Sequence, residues 1–361
     1  MYYVLYSNLF SFANSFHQMF LSLIMLTLVS ASSTDFIIEK CIEFVPGWHD
    51  ETELTITSML EGLSNLLFKV SINDEDKWVG EPIRTVLFRV YGESVSSFYE
   101  PDMELEVFKT VSEFGIGPKM YANDSGWRIE EYYIDYKVIP VTELSEPSIY
   151  LSVARQLASL HSLSRLTSFP PHLAERDPIS IFRLEHWKAE ASKIREIDSK
   201  IIDEVNKMSE ALKEQDTLVL GFHKVFSHND LQENNLLRNE EDIKFIDFEY
   251  ADMNFQGADI GNFFNEFTIN YLETEFPMYS ADPSQYPSVA IQREFVIEYL
   301  KTYLERVPNE FEISELLSSV SMFSQLSDLL WGMWAIVRSA QKAETDFGFL
   351  EYAQFRFDNR S

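Results

Sequence analysis

Two aspartates and an asparagine stand at a spacing that could carry out proton transfer and metal binding. The pattern is His228-x-Asp230-x-x-x-x-Asn235, and Asp247 follows directly after an apolar run typical of a buried strand. An aspartate two residues after a histidine can point at a substrate hydroxyl and accept its proton. The asparagine five residues later lies across a short loop, where its amide oxygen can bind a metal ion.

These residue types predict a division of labour in phosphoryl transfer. Asp230 would be the base, while Asn235 and Asp247 would bind Mg²⁺, which prefers oxygen ligands and usually keeps several waters. His228 is counted with Asp230 and Asn235 among the catalytic residues. A polar turn capped by His228 and Asp230 is the alternative for an isolated His-x-Asp, but the asparagine and the strand-end aspartate argue against it.

The residues after Asp247 extend this pattern. Phe-Glu-Tyr at 248–250 is followed, at 254–267, by Asn-Phe-Gln-Gly-Ala-Asp-Ile-Gly-Asn-Phe-Phe-Asn-Glu-Phe. This stretch closely resembles the choline/ethanolamine kinase family, and the resemblance extends from about Phe44 to Asp358. It implies transfer of the γ-phosphoryl group of ATP, with Mg²⁺, to the hydroxyl of choline or ethanolamine.

The resemblance also implies an α+β, bilobal, protein-kinase-like fold. Residues 35–135 would form a small N-lobe with an antiparallel sheet that binds the nucleotide. Residues 136–361 would form a larger, mostly helical C-lobe that holds the catalytic and substrate-binding residues, with ATP in the cleft. The length of 361 residues and the apolar fraction of 45% allow a sizeable core.

A glycine turn between two strand-like runs is the first predicted nucleotide contact. The turn reads Glu61-Gly62-Leu63-Ser64-Asn65, and such a turn lets backbone N–H groups approach phosphate oxygens. The family's loop commonly reads Gly-Gly-x-Ser-Asn, so Gly62, Ser64 and Asn65 are predicted to contact the nucleotide. Glu61 departs from that pattern, and a plain hairpin is the alternative.

Arg89 is the one cation in the strand-like run 85–92, and a buried charge needs a partner. Glu104 or Glu106, in a predicted helix over 101–114, is the natural partner, by analogy with the Lys–Glu pair of protein kinases. Counting back from 117–119, the family's helix glutamate falls on Glu104. An ordinary surface pair is the alternative.

The segment 126–133 resembles the family's approach to the hinge between the lobes. Backbone groups there would bind adenine, and the residues predicted to do so are Glu130, Glu131 and Tyr132. Beyond the hinge, helical spacing of apolar residues predicts helices over 148–163, 291–307 and 311–338, and one or two helices over 179–215. His161 is predicted to be structural, beneath the loop from His228 to Asn235, called here the catalytic loop.

Aromatic residues near the C-terminus suggest how a substrate would be recognised. Trp331 and Trp334 are three apart, so they project from one helix face. A quaternary ammonium group donates no hydrogen bonds, and each aromatic face contributes about 0.5–2 kcal/mol to its binding. The resemblance implies that Glu266 and Tyr271 approach this group. The predicted substrate site comprises Asp230, Tyr250, Glu266, Tyr271, Trp331, Trp334 and Tyr352. The alternative is that the two tryptophans only pack in the core.

Composition excludes several classes of partner. A net charge of −29 argues against nucleic acid and against a basic membrane-binding patch. The single cysteine, Cys41, can form no internal disulfide, so nothing indicates an oxidising compartment. A cytoplasmic location is expected because the chemistry requires cytosolic ATP.

Residues 1–34 differ from the rest of the chain. An apolar run over 19–29 precedes four small residues, as in a secretory signal, but no Lys or Arg comes before it. The run is also short for a membrane span. The segment is therefore either signal- or anchor-like or an appended extension, and membrane contact is expected only if it is retained.

Choline is the preferred substrate in this interpretation, which would give phosphocholine for phosphatidylcholine synthesis, because ethanolamine-preferring relatives tend to lack an aromatic residue at Tyr271. An ethanolamine kinase or an enzyme of dual activity is the nearest alternative. A catalytically silent kinase-like binding protein is a third, although Asp230, Asn235 and Asp247 are intact. An aminoglycoside-type substrate would leave the tryptophan pair unexplained. Dimers occur in the family, so a homodimer is also an expectation.

Overall fold

The computed structural model describes residues 34–50, 52–59, 65–73, 83–91, 101–124, 126–240, 242–341 and 346–359. The apolar N-terminal run lies outside these ranges, as do Gly62 and Ser64 of the predicted nucleotide turn. Within the ranges described, no helix combines the length and the apolar composition needed to cross a membrane.

The described residues divide into two compact units. The first takes its residues from Met1–Glu93 and Met120–Tyr132, and the second from Ser94–Lys119 and Tyr133–Ser361. The described residues 101–119 therefore group with the second unit, and the predicted lobe boundaries stay a prediction.

The first unit consists of helical residues 34–44 (α1) and an antiparallel five-stranded sheet. The strands, in the sheet order β1-β2-β3-β5-β4, are β1 (Leu54–Met59), β2 (Asn65–Ile72), β3 (Thr85–Tyr91), β4 (Met120–Asp124) and β5 (Trp127–Glu131). Alternate residues of β3 face the core, where Val86 and Phe88 are fully buried. The three strands expected at 55–60, 66–72 and 85–92 are confirmed, and each end differs from the expected one by at most one residue.

The second unit is mostly helical. Its helices are α2 (Pro101–Glu113), α3 (Pro147–Ser162), α4 (Pro171–Ala174), α5 (Ile179–Ile194), α6 (Ser199–Lys213), α7 (Gln256–Glu266), α8 (Val289–Leu304), α9 (Glu310–Ala340) and α10 (Phe349–Asp358). The helices predicted from apolar spacing are confirmed, and the segment 179–215 forms two of them. Helix α10 was not predicted.

Short strands lie in the segments between these helices. They are β6 (Lys137–Val138), β7 (Lys224–Ser227), β8 (Leu236–Arg238), β9 (Ile243–Phe245), β10 (Asp252–Phe255), β11 (Ile269–Asn270) and β12 (Ser280–Ala281). Strand β7 pairs with β10, β8 pairs with β6 and β9, and β11 pairs with β12, all antiparallel. Strand β7 leads directly into the catalytic loop, and β9 leads to Asp247.

Helices α7 and α9 approach each other closely at Gly261. Every residue of α7 is buried, and a Cβ at Gly261 would lie 2.6 Å from the backbone carbon of Phe323 and from the backbone nitrogen of Ser324. Backbone atoms cannot move aside as a flexible side chain can. Gly261 therefore sets the distance between the two helices that hold much of the predicted substrate site.

Gly261→Ala should lower the free energy of unfolding by about 1–3 kcal/mol, because the overpacked contact outweighs the better helix propensity of alanine. Chemical denaturation measures this change. Gly126→Ala is the matched control, since no heavy atom lies within 4 Å of its Cβ position. Equal effects of the two substitutions would show that the helix contact is not the cause.

Candidate active site

The buried carboxylate of Asp259, in the first turn of α7, holds the start of the catalytic loop. Its Oδ2 accepts a hydrogen bond from the backbone N–H of His228 at 2.8 Å, and its Oδ1 accepts one from the backbone N–H of Asn229 at 2.6 Å. Both bonds act on the residues just before Asp230. The sequence analysis noted Asp259 only as part of the family motif and gave it no role.

A buried chain of hydrogen bonds ends on Asp259. The Nε2 of His161 lies 3.0 Å from Asp259 Oδ2, and its Nδ1 lies 2.7 Å from the hydroxyl of Tyr299. Gln256 donates to that hydroxyl at 3.0 Å and accepts from the backbone N–H of Gly221 at 2.8 Å. Both ring nitrogens of His161 are satisfied if Tyr299 donates to Nδ1 and Nε2 donates to Asp259. The predicted structural role of His161 is confirmed.

The same contacts keep Asp259 ionised. Burial acts to raise the pKa of Asp259, but the hydrogen bonds that it accepts from His161 and from the backbone N–H of His228 lower it overall. An ionised carboxylate is the stronger acceptor for backbone N–H groups. The catalytic loop is thus anchored by charge-assisted hydrogen bonds inside the second unit.

Two residues of the site have left-handed backbone conformations, which asparagine and aspartate tolerate better than most residues. They are Asn229, with φ of 67°, and Asp247, with φ of 63°. The Asn229 side chain accepts from Asn254 Nδ2 at 2.7 Å and donates to the carbonyl of Tyr250 at 3.0 Å. These bonds stabilise the turn immediately before Asp230.

His228 holds the catalytic loop in place, and its predicted catalytic role stays a prediction. Its ring is fully buried, lies 4.7 Å from the ring of Phe248, and donates from Nε2 to the carbonyl of Ile246 at 2.9 Å. Burial lowers the pKa of His228, so the ring is neutral. It therefore ties the catalytic loop to the residue before Asp247.

The structure brings Asp230, Asn235 and Asp247 together. Asn235 Nδ2 donates to the backbone carbonyl of Asp230 at 2.9 Å and to its Oδ2 at 3.0 Å. Burial, together with the charges of Glu266 and Asp247, raises the pKa of Asp230 to about 8, while the hydrogen bond from Asn235 opposes this shift. The site therefore concentrates negative charge around the predicted base.

The donor set fits a magnesium ion that is held partly by a nucleotide. Because Asn235 uses its Nδ2 on Asp230, its Oδ1 remains an acceptor, and the Asp247 side chain makes no capping hydrogen bond. In the part of the chain that the structure describes, no group of three His, Cys, Asp or Glu residues could hold a metal. One carboxylate and one amide oxygen, completed by phosphates and waters, are typical of Mg²⁺.

Glu266 belongs to a buried cluster of three charges. Arg356 donates from Nη2 to Glu266 Oε1 and from Nη1 to Asp328 Oδ1 at 3.1 Å, and each of the three residues is at most 2% exposed. Two carboxylates and one guanidinium leave a net charge of −1. The Oε2 of Glu266 is buried without a hydrogen-bond partner, which is costly unless a ligand supplies one. Arg356 and Asp328 were not predicted.

Tyr271 and Tyr352 lie against this cluster. Their hydroxyls are 2.8 Å apart, and Arg356 donates to the Tyr352 hydroxyl at 2.9 Å from Nε and at 2.7 Å from Nη2. The backbone N–H of Tyr271 donates to the buried carboxylate of Glu233, which also accepts from the N–H of Val141 at 2.8 Å. Glu233, a catalytic-loop residue without a predicted role, thus fixes Tyr271 to that loop.

Tyr250, Trp331 and Trp334 form a continuous aromatic wall. The ring centroids of Tyr250 and Trp331 are 5.5 Å apart, and those of Trp331 and Trp334 are 5.2 Å apart, both edge to face. Trp334 donates to the Tyr250 hydroxyl at 3.0 Å, and Trp331 donates to Asn262 Oδ1 at 2.8 Å. Burial raises the pKa of Tyr250, and the charges of Glu249 and Asp230 raise it as well. The aromatic wall therefore lies close enough to the predicted base, Asp230, to be affected by its charge.

In the first unit, Arg89 forms an ion pair with Glu130. Its Nη2 lies 3.3 Å from Glu130 Oε1, and Arg128 Nε donates to Glu130 Oε2 at 2.6 Å. Burial acts against ionisation, but the two arginines lower the pKa of Glu130. Glu104 lies in the second unit, so its pairing with Arg89 stays a prediction.

Asn65, Glu131 and Tyr132, which are also predicted at the nucleotide, lie in this sheet or directly after its strand β5. Asn65 begins β2, Glu131 pairs with Val86 between β5 and β3, and the ring of Tyr132 lies 4.8 Å from Lys69 Nζ. Their contacts with a nucleotide stay predictions.

Comparisons with known proteins agree with this geometry. The family model described as choline/ethanolamine kinase matches residues 56–360. The human choline/ethanolamine kinase is 32% identical, with 88% of this chain and 82% of the relative covered. A probable ethanolamine kinase A of Dictyostelium discoideum is 30% identical, with 87% of each chain covered. The crystal structure of a Cryptosporidium parvum choline kinase has a TM-score of 0.81 at 33% identity, with 91% and 94% covered. The predicted α+β, protein-kinase-like fold is confirmed.

Asp259→Asn should lower the free energy of unfolding by about 2–4 kcal/mol at neutral pH, because it removes a buried ion partner of two backbone N–H groups. The lowered pKa of Asp259 stabilises the fold above the unfolded value of about 4, and this contribution is lost as pH falls further. The difference between wild type and variant should therefore shrink below about pH 4.

Urea denaturation over a pH series measures this difference. Asp203→Asn is the matched control, since Asp203 is exposed on α6. A stability loss in Asp259→Asn that does not change with pH would contradict an ionised anchor.

Proposed function

The chain belongs to the choline/ethanolamine kinase family, and on that premise we propose that it transfers the γ-phosphoryl group of ATP to the hydroxyl of choline, giving phosphocholine and ADP. The family makes it a phosphotransferase with an alcohol group as acceptor. The observation that carries the choice of a cationic acceptor is the unpaired, buried Oε2 of Glu266, whose charge also acts on Asp230.

Asp230 is the proposed base for the acceptor hydroxyl. Burial and two neighbouring carboxylates hold its pKa at about 8, so the positive charge of a bound substrate beside Glu266 favours the ionised form that accepts a proton. Asn235 keeps the Asp230 carboxylate in place through its Nδ2. This arrangement orients the base before the hydroxyl arrives.

Asn235 and Asp247 are the residues that would hold Mg²⁺. The ion would neutralise charge on the transferred phosphoryl group. His228 ties the catalytic loop to the carbonyl of Ile246, just before Asp247, and Asn229 donates to the carbonyl of Tyr250, just after it. In the proposal, neither residue contacts the nucleotide. Arg89 is kept as a proposed phosphate ligand, and its ion pair with Glu130 supports a guanidinium held in one orientation.

The aromatic wall and the charge cluster support a quaternary ammonium substrate. The cluster of Glu266, Asp328 and Arg356 carries a net charge of −1, which one ammonium group neutralises. The three rings of the wall offer contact without requiring a hydrogen-bond donor from the ligand. Tyr271 and Tyr352 would add two more rings beside Glu266.

Ethanolamine is the second candidate acceptor, alone or with choline. Its primary ammonium donates hydrogen bonds, and Glu266 Oε2 is an acceptor without a partner. The relatives include proteins described as choline/ethanolamine kinase and as probable ethanolamine kinase. A role in phosphatidylcholine synthesis, a cytoplasmic location and a homodimer remain part of the proposal.

An assay of the full-length chain with ATP and Mg²⁺ tests the proposal, with kcat/KM measured side by side for choline and ethanolamine. A clear preference for choline is expected from the aromatic wall. Preference for ethanolamine would give Glu266 the larger role in specificity. A folded protein that binds ATP but turns over neither substrate would instead be a silent kinase-like binding protein.

Asp230→Asn should lower kcat by about 10²- to 10⁴-fold, the usual contribution of a positioned base, while the Kd for ATP stays within about twofold. Steady-state kinetics and nucleotide titration measure the two quantities. Asp203→Asn serves as the control for a lost surface charge. A variant with undiminished kcat would remove Asp230 from the mechanism.

Trp334→Leu should raise the KM for choline by about 2- to 30-fold, as expected for the loss of one cation–π face. The KM for ATP should not change. Phe349→Leu is the matched control, because Phe349 packs 5.8 Å from Trp334 but lies outside the aromatic wall. Similar increases for choline and ATP in both variants would indicate a general loss of folding instead.

A further inference from the structure

A cavity of about 370 Å³ lies at the first residue of β7, at the end of that strand away from the catalytic loop. Its lining residues are Arg165, Thr217, His223, Lys224, Tyr303 and Leu304. Two of these are permanent cations, one is a histidine, and none is acidic. The volume is typical of a site for a small molecule.

Two of the basic side chains are oriented by uncharged groups. Arg165 donates from Nη1 to the carbonyl of Tyr303 at 2.7 Å, and its guanidinium lies 4.8 Å from the centre of the Tyr303 ring. His223 donates from Nε2 to the carbonyl of Leu218 at 3.1 Å, and its Nδ1 lies 3.4 Å from the Tyr303 hydroxyl. No ion pair to Arg165, His223 or Lys224 is found among the residues that the structure describes.

The floor of the cavity is fixed. Tyr303 stacks on Tyr299 with centroids 5.7 Å apart and an interplanar angle of 15°. Tyr299 is held in turn by His161 and Gln256 through its hydroxyl. Arg165 therefore packs on a ring that is held by its neighbours. The guanidinium N–H groups are oriented before a ligand arrives, which lowers the entropic cost of binding.

We propose that this cavity binds the phosphate group of a small soluble phosphate ester. A phosphate monoester carries up to two negative charges and three acceptor oxygens. The cavity offers a guanidinium, an ammonium group and the Thr217 hydroxyl as matching donors. The chain has 58 acidic and 29 basic residues, so carboxylates are abundant, yet none lines this cavity.

A soluble ligand fits the charge of the chain better than a membrane headgroup. The net charge of −29 opposes approach to an anionic lipid surface. A single small ester can enter a concave site without bringing a charged surface close to the rest of the protein. The site shares no lining residue with the catalytic loop or the aromatic wall, so it is separate from the proposed active site.

Titration of the full-length protein with inorganic phosphate tests the proposal. The ionic strength is held constant with chloride, without nucleotide, choline or divalent ions, so the result does not depend on the proposed function. A saturable rise in Tm is expected. The double variant Arg165→Ala/Lys224→Ala should bind phosphate about tenfold or more weakly, because charge-assisted hydrogen bonds are lost.

The matched control is Arg195→Ala/Lys200→Ala, which removes two exposed cations outside the cavity. It should keep the affinity of the wild type. Equal affinities in the two double variants, or no saturable binding in the wild type, would overturn the proposal. If the first double variant does not fold, as judged by circular dichroism, Lys224→Gln replaces it and is held to the same loss of phosphate affinity.

Sedimentation with vesicles distinguishes the source of the phosphate group. Phosphatidylcholine vesicles with and without phosphatidic acid are compared, since phosphatidic acid exposes a phosphate monoester on a surface. No binding to either is expected. Cosedimentation with phosphatidic acid vesicles that is lost in Arg165→Ala/Lys224→Ala would overturn the assignment to a soluble ester.

Discussion

The ionised carboxylate of Asp259 is the constraint on which the rest of the site depends. Both of its oxygens accept hydrogen bonds from backbone N–H groups of the catalytic loop, and the ring of His161 is its third hydrogen-bond partner. Asp259 is rigid because α7 is buried along its whole length and is set against α9 at Gly261. The same helix contact fixes Trp331 and Trp334 on α9, so the base and the aromatic wall are positioned by one piece of packing.

Charge is distributed unequally inside the second unit. The charges of Asp247 and Glu266 raise the pKa of Asp230, and Arg356 compensates only part of the charge of Glu266 and Asp328. The interior therefore keeps an excess of negative charge where a metal–nucleotide complex and a cationic alcohol would meet. Ligands that carry positive charge would lower the free energy of the folded protein as well as react there.

Local chemistry was predictable from the sequence, whereas partners distant in the chain were not. Asp230, Asn235 and Asp247 lie within 18 residues of one another, so their spacing alone predicted a joint site, and their roles in it stay a prediction. Arg356 is 90 positions from Glu266, and no local pattern connects them. The pairing of Arg89 with Glu130 depends on β3 and β5 being neighbours in the sheet, an order that alternation of apolar residues does not specify. Burial of the His228 ring is a tertiary property, which its spacing from Asp230 does not indicate.

With Tyr299 donating to His161 and His161 to Asp259, the hydrogen bonds from Gly221 through Gln256 and Tyr299 to Asp259 run in one direction, each group donating to the next. Such a chain has a polarity, as a row of dipoles has. Replacing one member by a residue that reverses donor and acceptor leaves two buried groups facing each other with like roles. Replacements at these positions are therefore expected to occur as compensating pairs during evolution. Residues distant in sequence would then covary even though they make no contact with a substrate.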